Sequence, residues 1–372
     1  MRFLLFILCL LIICSCKEQT KTESLKGEVI QLTEETLPPM KEFYSVRLNY
    51  PHEEMFNVPY TSVYNDTIIA LFERQNVDSH FIYVINLNTG KIYGEYFKKG
   101  NGPGELMRPS FDIRNNHLFV QDPHLWAVAR MNIDSIIVKG NDYNVVPKFV
   151  KSWEGFSGND MPNDSTLVSI DPWYFHDGRY EQGSSRLFKV DLKTGERVVP
   201  FTPNNEIKLA DRITGGFIMH FDDKLIYAYE YKPIVCFMNS NYESIRTYMG
   251  PEPDDLKYKE SENMPKLEHD AGGRFYLYAS SILAESEHYL FMQTYRYHNV
   301  EELSLRGCDT EIWQFEKATM NFVARYHPNV NHEILTLSYS EATNTFYFTV
   351  AKDEFELHKS VWEEPEYEEE EE

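Results

Sequence analysis

The sequence is poor in cysteine. Five of its 372 residues are cysteines, and Cys9, Cys14 and Cys16 all lie at the amino terminus. The chain contains no CxxC pair, no HExxH motif and no Cys/His grouping at zinc-ligand spacing, which excludes the zinc sites that such motifs build. Cys236 and Cys308 remain in the body of the chain, where we expect small buried apolar side chains; their spacing does not show whether they form a disulfide.

Basic charge is also scarce, with 36 Lys and Arg against 58 Asp and Glu and a formal net charge of -22. No basic surface is available to displace the counterions of duplex nucleic acid, which excludes it as a partner. Residues 363–372 read EEPEYEEEEE, and a block of like charges is typical of a disordered, solvated tail.

Helical periodicity is nearly absent, whereas aromatic residues, including 25 Tyr and 24 Phe, make up 15% of the chain and favour strands. A polar turn followed by a short apolar run occurs six times. The turns begin at Asn65, Asn115, Asn163, Asp222, Glu287 and Asn344. Their spacing of roughly 50 to 65 residues is typical of propeller blades and predicts an all-β, six-bladed β-propeller over residues 28–362.

A second hairpin follows each of the first five units, so that two hairpins make one four-stranded antiparallel blade. Phe81–Phe97 and Arg186–Phe201 carry a glycine at the turn, and related hairpins are predicted from Ala127, Pro233 and Glu311. The sixth unit lacks an equally clear second hairpin. We therefore expect residues 28–48 to join the last blade, which closes the ring and removes exposed sheet edges.

Residues 1–15 have the features of a secretory signal, with Arg2 at the start, an apolar stretch from Phe3 to Ile13, and Ser15 before the cut. The apolar stretch is shorter than the about 20 residues of a membrane span. The run Ile13-Cys14-Ser15-Cys16 resembles the cleavage box of bacterial lipoproteins. The resemblance implies cleavage between Ser15 and Cys16 and attachment of acyl chains, such as palmitate, to Cys16.

Two or more acyl chains give stable anchoring, so the chain is predicted to be held on a membrane of the cell envelope. Lys17 and Glu18 do not resemble an inner-membrane retention signal, which favours the outer membrane, on either of its faces. Residues 16–27 are predicted to be a lipidated tether, in which residues 17–27 are polar. About ten residues separate Cys16 from the first strand and reach at most roughly 35 Å.

The stretch GNGPGELMRPSFDIRNNHLFVQD, from Gly100 to Asp122, resembles the repeat of NHL-type and TolB-like six-bladed β-propellers. The whole chain resembles propeller lipoproteins of unknown function from Gram-negative envelopes. It departs from the repeat after Asp122, where Pro123-His124-Leu125-Trp126 replaces the usual Asn and Arg turn.

The loop at the start of this stretch is predicted to be a structural crossover between blades, and it contains Gly100, Gly102, Pro103, Gly104 and Glu105. It lacks the Lys-Ser/Thr pair of a phosphate-binding loop, and Pro103 has no backbone N–H to donate. Glu105 is expected to accept hydrogen bonds from neighbouring backbone amides.

The candidate ligand-binding residues are Trp173, Tyr174, His176 and Arg179, which lie in a predicted loop between strands. Aromatic rings offer stacking surfaces for sugars or peptides, and Arg179 offers a bidentate contact to an anion. The structural alternative is a loop whose aromatic residues fold over the rim of the propeller.

Other polar groups carry no assignment. His269 and Asp270 are adjacent, and neighbouring strand residues point to opposite faces, so they do not form a catalytic pair. Tyr295–His298 could line a propeller face, although solvated strand-end residues explain the segment equally. Asp or Asn recurs at equivalent turns and could form a ring of cation ligands, namely Asp66, Asn116, Asp164, Asp223 and Asn344. Turn chemistry explains these residues without a metal, so no cofactor is expected and a structural cation is the alternative.

The sequence thus predicts a lipid-anchored, non-catalytic module that binds an envelope protein, a peptide or a glycan. One alternative is a propeller enzyme of the lyase, lactonase or glycosidase type, with a metal or paired carboxylates in the central channel. Another is a scaffold subunit of an outer-membrane complex, with the acidic tail contacting a basic partner.

Overall fold

The computed structural model describes most of the chain after the predicted leader and tether. The described residues are 27–49, 61–65, 68–72, 80–114, 116–122, 124–150, 157–171, 175–176, 179–180, 186–201, 216–229, 234–250, 258–259, 266–267, 283–297, 308–330, 334–351 and 355–362.

Three short strands open the described chain, and six small sheets follow in sequence order. The opening strands are β1 (Glu28–Gln31), β2 (Met40–Phe43) and β3 (Val46–Arg47). The first sheet contains β4 (Thr61–Tyr64), β5 (Ile68–Phe72), β6 (His80–Asn86), β7 (Ile92–Lys99) and β8 (Glu105–Leu106). The second contains β9 (Ser110–Arg114), β10 (His117–Asp122), β11 (Ala127–Asn132) and β12 (Lys148–Phe149).

The third and fourth sheets are built in the same way. The third contains β13 (Ser157–Asn163), β14 (Thr166–Asp171), β17 (Arg186–Asp191) and β18 (Arg197–Phe201), and its middle connection holds the hairpin of β15 (Phe175–His176) and β16 (Arg179–Tyr180). The fourth contains β19 (Gly216–Phe221), β20 (Lys224–Tyr229), β21 (Ile234–Met238) and β22 (Ser244–Met249).

A two-stranded hairpin of β23 (Tyr258–Lys259) and β24 (Lys266–Leu267) separates the fourth sheet from the fifth. The fifth sheet contains β25 (Leu283–Glu285), β26 (Tyr289–Tyr297), β27 (Cys308–Glu316) and β28 (Phe322–Pro328). The sixth contains β29 (Ile334–Ser340), β30 (Thr345–Ala351) and β31 (Phe355–Val361).

The six sheets are the blades of a β-propeller, as predicted, and the first strand of each is the inner one. The inner strands of three pairs of neighbouring blades contact each other: β4 with β9, β13 with β19, and β25 with β29. The last blade also contacts the first through β29 and β4, where the Val63 backbone N–H donates to Ser338 Oγ at 3.0 Å.

The amino-terminal segment, residues 28–47, runs along the outer edges of three blades, and we call it the strap. β1 pairs in parallel with β22, β2 pairs in parallel with β28, and β3 pairs antiparallel with β31. Because β22, β28 and β31 are the last strands of their blades, the strap supplies partners for backbone groups that would otherwise form sheet edges.

The predicted pairing of the two chain ends is therefore only partly right. Val46–Arg47 joins the last blade, but the rest of the segment extends the fourth and fifth blades, which become five-stranded. The first blade also has five strands, because β8 adds in parallel to β7. The expectation of uniform four-stranded blades is wrong for these three.

The hairpin predicted from Ala127 is wrong as well. Its second half is the helix α1 (Ile133–Lys139), followed by a 3₁₀ turn (Gly140–Asp142). The Asn132 side chain caps the helix by accepting from the Ser135 N–H at 2.8 Å, and Ile133 and Ile136 share a buried face at helical spacing.

The helix and its following turn lie against the outer part of the first blade. The Tyr96 hydroxyl donates to the Gly140 carbonyl at 2.9 Å, and the Glu95 N–H donates to Asn141 Oδ1. Burial, and secondarily the neighbouring Tyr143, raises the pKa of Tyr96 to about 12.

The core lies between the blades and is rich in aromatic rings where the last three blades meet. Phe315 packs against Phe237 of the fourth blade with ring centroids 5.3 Å apart, and Phe291 packs edge-on against Phe346 of the sixth at 4.8 Å. Phe43 of the strap stacks on Phe346 at 5.6 Å with an interplanar angle of 8°. The strap is thus part of the core as well as of the sheets.

Replacing Phe43 with alanine should lower the free energy of unfolding by about 3 kcal/mol, since a buried aromatic side chain is removed and a cavity is left. Urea denaturation measures the change. Phe43→Leu, which keeps most of the buried volume, should cost about half as much. Val46→Ala, at a strap side chain that is 58% exposed, should have almost no effect. Equal losses for Phe43→Ala and Val46→Ala would contradict the packing role of the strap.

Candidate functional site

The order of strands divides the connections of the propeller into two sides. In a four-stranded meander, the first and third turns lie on one side, while the second connection and the crossover to the next blade lie on the other. We call the first the short-turn side. Apart from 133–147, which contains α1, its connections are brief: 65–67, 87–91, 115–116, 164–165, 192–196, 222–223, 239–243, 286–288, 317–321 and 341–344.

The other side is the long-connection side. Its longest connections are 48–60, 172–185, 202–215, 250–282 and 298–307. Loops positioned by a rigid scaffold commonly carry binding residues, and here the longest connections join strand ends on one side. The long-connection side is therefore the candidate functional surface.

The crossover from the first blade to the second is built around Glu105. Its Oε2 accepts from the Gly102 N–H at 2.8 Å, while its own N–H donates to the Gly102 carbonyl at 3.1 Å. A Cβ at Gly100 would lie 2.0 Å from Glu105 Oε2, so a larger residue there would displace the carboxylate from its present position. The loop thus uses its carboxylate to bind its own backbone, which is the type of contact predicted for Glu105.

Asp122 holds the next part of the same motif. Its side chain is fully buried, and Oδ2 accepts from the backbone N–H groups of Met107 and Arg108. Oδ1 accepts from the N–H groups of His124 at 2.8 Å and Leu125 at 3.2 Å. One carboxylate therefore ties the crossover to the turn that follows β10.

This turn presents Trp126 to solvent. The residue is 45% exposed and its backbone has a φ of 55°, a left-handed conformation that is uncommon for a bulky side chain. The Val150 N–H donates to the Trp126 carbonyl. Phe149, which directly precedes Val150, is 51% exposed. Met107, whose backbone Asp122 holds, is 39% exposed. Asp122 thus supports an exposed apolar surface on the long-connection side.

The recognition loop predicted from the sequence belongs to the same side. Trp173 and Tyr174 lie outside the described residues. His176 and Arg179 face each other in the register of the β15–β16 hairpin, which places them on the second connection of the third blade. The backbone therefore brings together two of the four predicted ligand-binding residues.

Several other predicted features fall in part or whole outside the described residues. These are Ser15, Cys16, the tail 363–372, the His269-Asp270 pair and His298. Tyr295, Arg296 and Tyr297 form the end of β26 that leads to the connection 298–307.

Of the five recurrent turn residues, Asn116 and Asn344 have φ of 59° and 49°, the left-handed region that Asn and Asp tolerate. At two other turns the preceding residue, Asn65 or Asp222, has this conformation instead. Asp66 lies outside the described residues. Asp164 forms an ion pair with Arg130 at 2.9 Å. Over the described part of the chain, no three His, Cys, Asp or Glu side chains are placed to hold a metal ion.

A buried acid also joins the third and fourth blades. Asp160 Oδ2 lies 2.9 Å from His220 Nδ1 and accepts the His220 backbone N–H as well. Burial, and secondarily the nearby charge of Asp160, raises the pKa of Tyr242. An enzyme with its site in the channel stays an untested alternative.

Cys236 is buried and forms no disulfide; its thiol lies 3.3 Å from Ser244 Oγ, and burial raises the pKa of the thiol. The structure describes the side chain of Cys236 but not that of Cys308. None of the helices in the described ranges is long and apolar enough to cross a membrane.

No protein family and no curated protein matches the sequence. Among solved structures, a candidate exported protein of Bacteroides fragilis NCTC 9343 matches with a TM-score of 0.53 and 12% identity, covering 91% of this chain and 100% of that one. Two further structures match less well. The Pan2 WD40 domain of Neurospora crassa has a TM-score of 0.41 and 10% identity, covering 87% of this chain and 96% of that one. The RRP9 WD40 repeats have a TM-score of 0.43 and 8% identity, covering 87% of this chain and 99% of that one. The chain is a six-bladed β-propeller, and at these identities the likeness extends to the fold alone.

Asp122→Asn should lower the free energy of unfolding by about 2 to 4 kcal/mol, because an NH₂ group would replace one oxygen that accepts two backbone N–H groups. Urea denaturation measures the loss. Asp164→Asn removes the same charge from an acid that is 77% exposed and should change stability by about 1 kcal/mol or less. Similar losses in both variants would show that charge, and not the contacts of Asp122, sets the effect.

Proposed function

We propose that the chain is a lipid-anchored, non-catalytic binding module of the cell envelope. Its ligand, a protein, a peptide or a glycan, binds on the long-connection side. The observation that carries this proposal is the exposed Trp126 in a left-handed backbone conformation, held on that side by the buried Asp122.

The energetics favour a binding role for this surface. A left-handed conformation at a non-glycine residue costs about 1 to 3 kcal/mol, and such residues cluster at ligand-binding positions. Tryptophan gives a large, flat contact area and is enriched among the residues that dominate binding energy. Exposed Met107 and Phe149 extend the apolar area, and the connections of neighbouring blades end on the same side.

The envelope location and the anchor rest on the leader. Ser15-Cys16 closes a lipoprotein cleavage box, and the matching fold of a candidate exported protein supports export of this chain. The relation to NHL-type and TolB-like propellers is also part of the proposal. Its support is that Glu105 and Asp122, two matched positions of the repeat, both bind backbone amides around the first crossover.

Trp126→Ala should weaken ligand capture at least tenfold, the loss expected for an interface residue worth more than about 1.4 kcal/mol. The test is a detergent pull-down from native membranes, with proteins identified by mass spectrometry and bound glycans analysed in parallel. Tyr44→Ala is the matched control, because Tyr44 is a 72% exposed aromatic residue on the strap. Trp173→Ala tests the predicted recognition loop in the same assay.

Two results would overturn the binding proposal. One is equal capture by the wild type and Trp126→Ala when both are folded. The other is loss of capture in Tyr44→Ala to the same extent, which would indicate a nonspecific effect of removing an exposed ring.

Cys16→Ala should abolish incorporation of labelled palmitate and move the protein from the membrane pellet to the soluble fraction. Acyl chains stabilise membrane binding by about 0.8 kcal/mol for each buried methylene, so losing them removes the anchor. Cys308→Ser is the matched control and should remain in the pellet. Retention of Cys16→Ala in carbonate-washed membranes would contradict the lipid anchor.

A further inference from the structure

We propose that the short-turn side of the propeller faces the lipid surface and that the long-connection side faces away from it. This inference rests on the proposed anchoring through Cys16. It assigns an orientation to the binding surface and states from which direction a ligand reaches it.

The first observation is the direction of β1. β1 runs parallel to β22, with Glu28 opposite Arg246 and Gln31 opposite Met249. β22 begins directly after the connection 239–243, which lies on the short-turn side. The beginning of β1 therefore lies on that side too, and the chain that precedes it arrives there.

The second observation is a close backbone approach at Gly27. A Cβ at this position would lie 2.5 Å from the carbonyl oxygens of Ser244 and Ile245, and its φ is +108°. Only glycine can lie this close to the first residues of β22 in this conformation. The point at which the tether joins the propeller is thus fixed against the start of that strand.

Arg246 fixes the same point to two blades. Its Nη2 lies 2.6 Å from Glu28 Oε2. Its Nη1 donates to the Thr319 carbonyl at 2.9 Å and to Asn321 Oδ1, both in the connection 317–321 of the fifth blade. Since that connection is also on the short-turn side, the start of β1 is held beside two short turns.

The lengths of the tether and of the strands favour the same orientation. Residues 17–26 separate Cys16 from Gly27 and reach at most roughly 35 Å. A strand such as β20, Lys224–Tyr229, spans about 20 Å between the two sides at about 3.3 Å per residue. To bring the long-connection side to the lipid, the tether would have to run back along the rim and use more than half of its reach.

The binding surface around Trp126 consequently points into the space beyond the propeller. A ligand reaches it from the aqueous phase or from a structure opposite the anchoring membrane, and not from the lipid to which the protein is attached.

The test uses the full-length lipidated protein in vesicles, with a single fluorophore on an introduced cysteine. Cys308→Ser is the background, and buried Cys236 is left in place. Lys193→Cys and Ser240→Cys label exposed positions of the short-turn side, and His124→Cys and Asn329→Cys label exposed positions of the other. Energy transfer to an acceptor on the lipid headgroups reports the distance of each probe.

Probes at Lys193 and Ser240 should lie closer to the headgroups than probes at His124 and Asn329, by about 20 Å, the distance a strand spans between the two sides. Equal or reversed distances in protein that floats with the vesicles would overturn the orientation and leave the anchor standing. Failure of the acylated wild type to float, with no difference from Cys16→Ala, would overturn the anchor and the orientation together.

Discussion

Backbone groups at the outer edges of the blades impose the constraint on which the rest of this structure depends. A propeller blade ends in a strand whose outward N–H and C=O groups need partners. The strap meets this need on three consecutive blades, through β1, β2 and β3. On the first blade, β8 and the residues after α1 do the same for β7.

Buried carboxylates solve a related problem inside the molecule. In a chain with so many acids, the buried Asp122 and Asp160 and the partly buried Glu105 accept backbone N–H groups. Because charged acceptors make stronger hydrogen bonds than neutral ones, a single side chain can hold two or three segments of irregular backbone. The motif from Gly100 to Asp122, which resembles the NHL-type repeat, is held together by such contacts. The exposed surface at Trp126 begins where the motif ends, and it depends on the motif for its support.

The period of the polar turns was enough to predict six blades, because each turn and its apolar run are local. The strap could not be predicted correctly, since parallel pairing of Glu28 with Arg246 joins residues far apart in sequence and leaves no local pattern. The helix α1 could have been found: Asn132 at the cap, Ile133 and Ile136 at helical spacing and Gly140 after the last turn are signals of a helix. The only signal at Trp126 was that the sequence departs from the NHL-type repeat there, and such a departure does not predict that a side chain is exposed.

The strap would also join the proposed anchor to the fold. The acylated residue predicted at Cys16 would be followed, after a short polar stretch, by the first strand of the strap. Its ion pair with Arg246, the Arg325 bond to the Pro38 carbonyl and the packing of Phe43 distribute any pull from the membrane over the fourth, fifth and sixth blades. Under the proposed anchoring, the residues that cover the edges of the blades would also place the tether on the short-turn side and leave the long-connection side to a ligand.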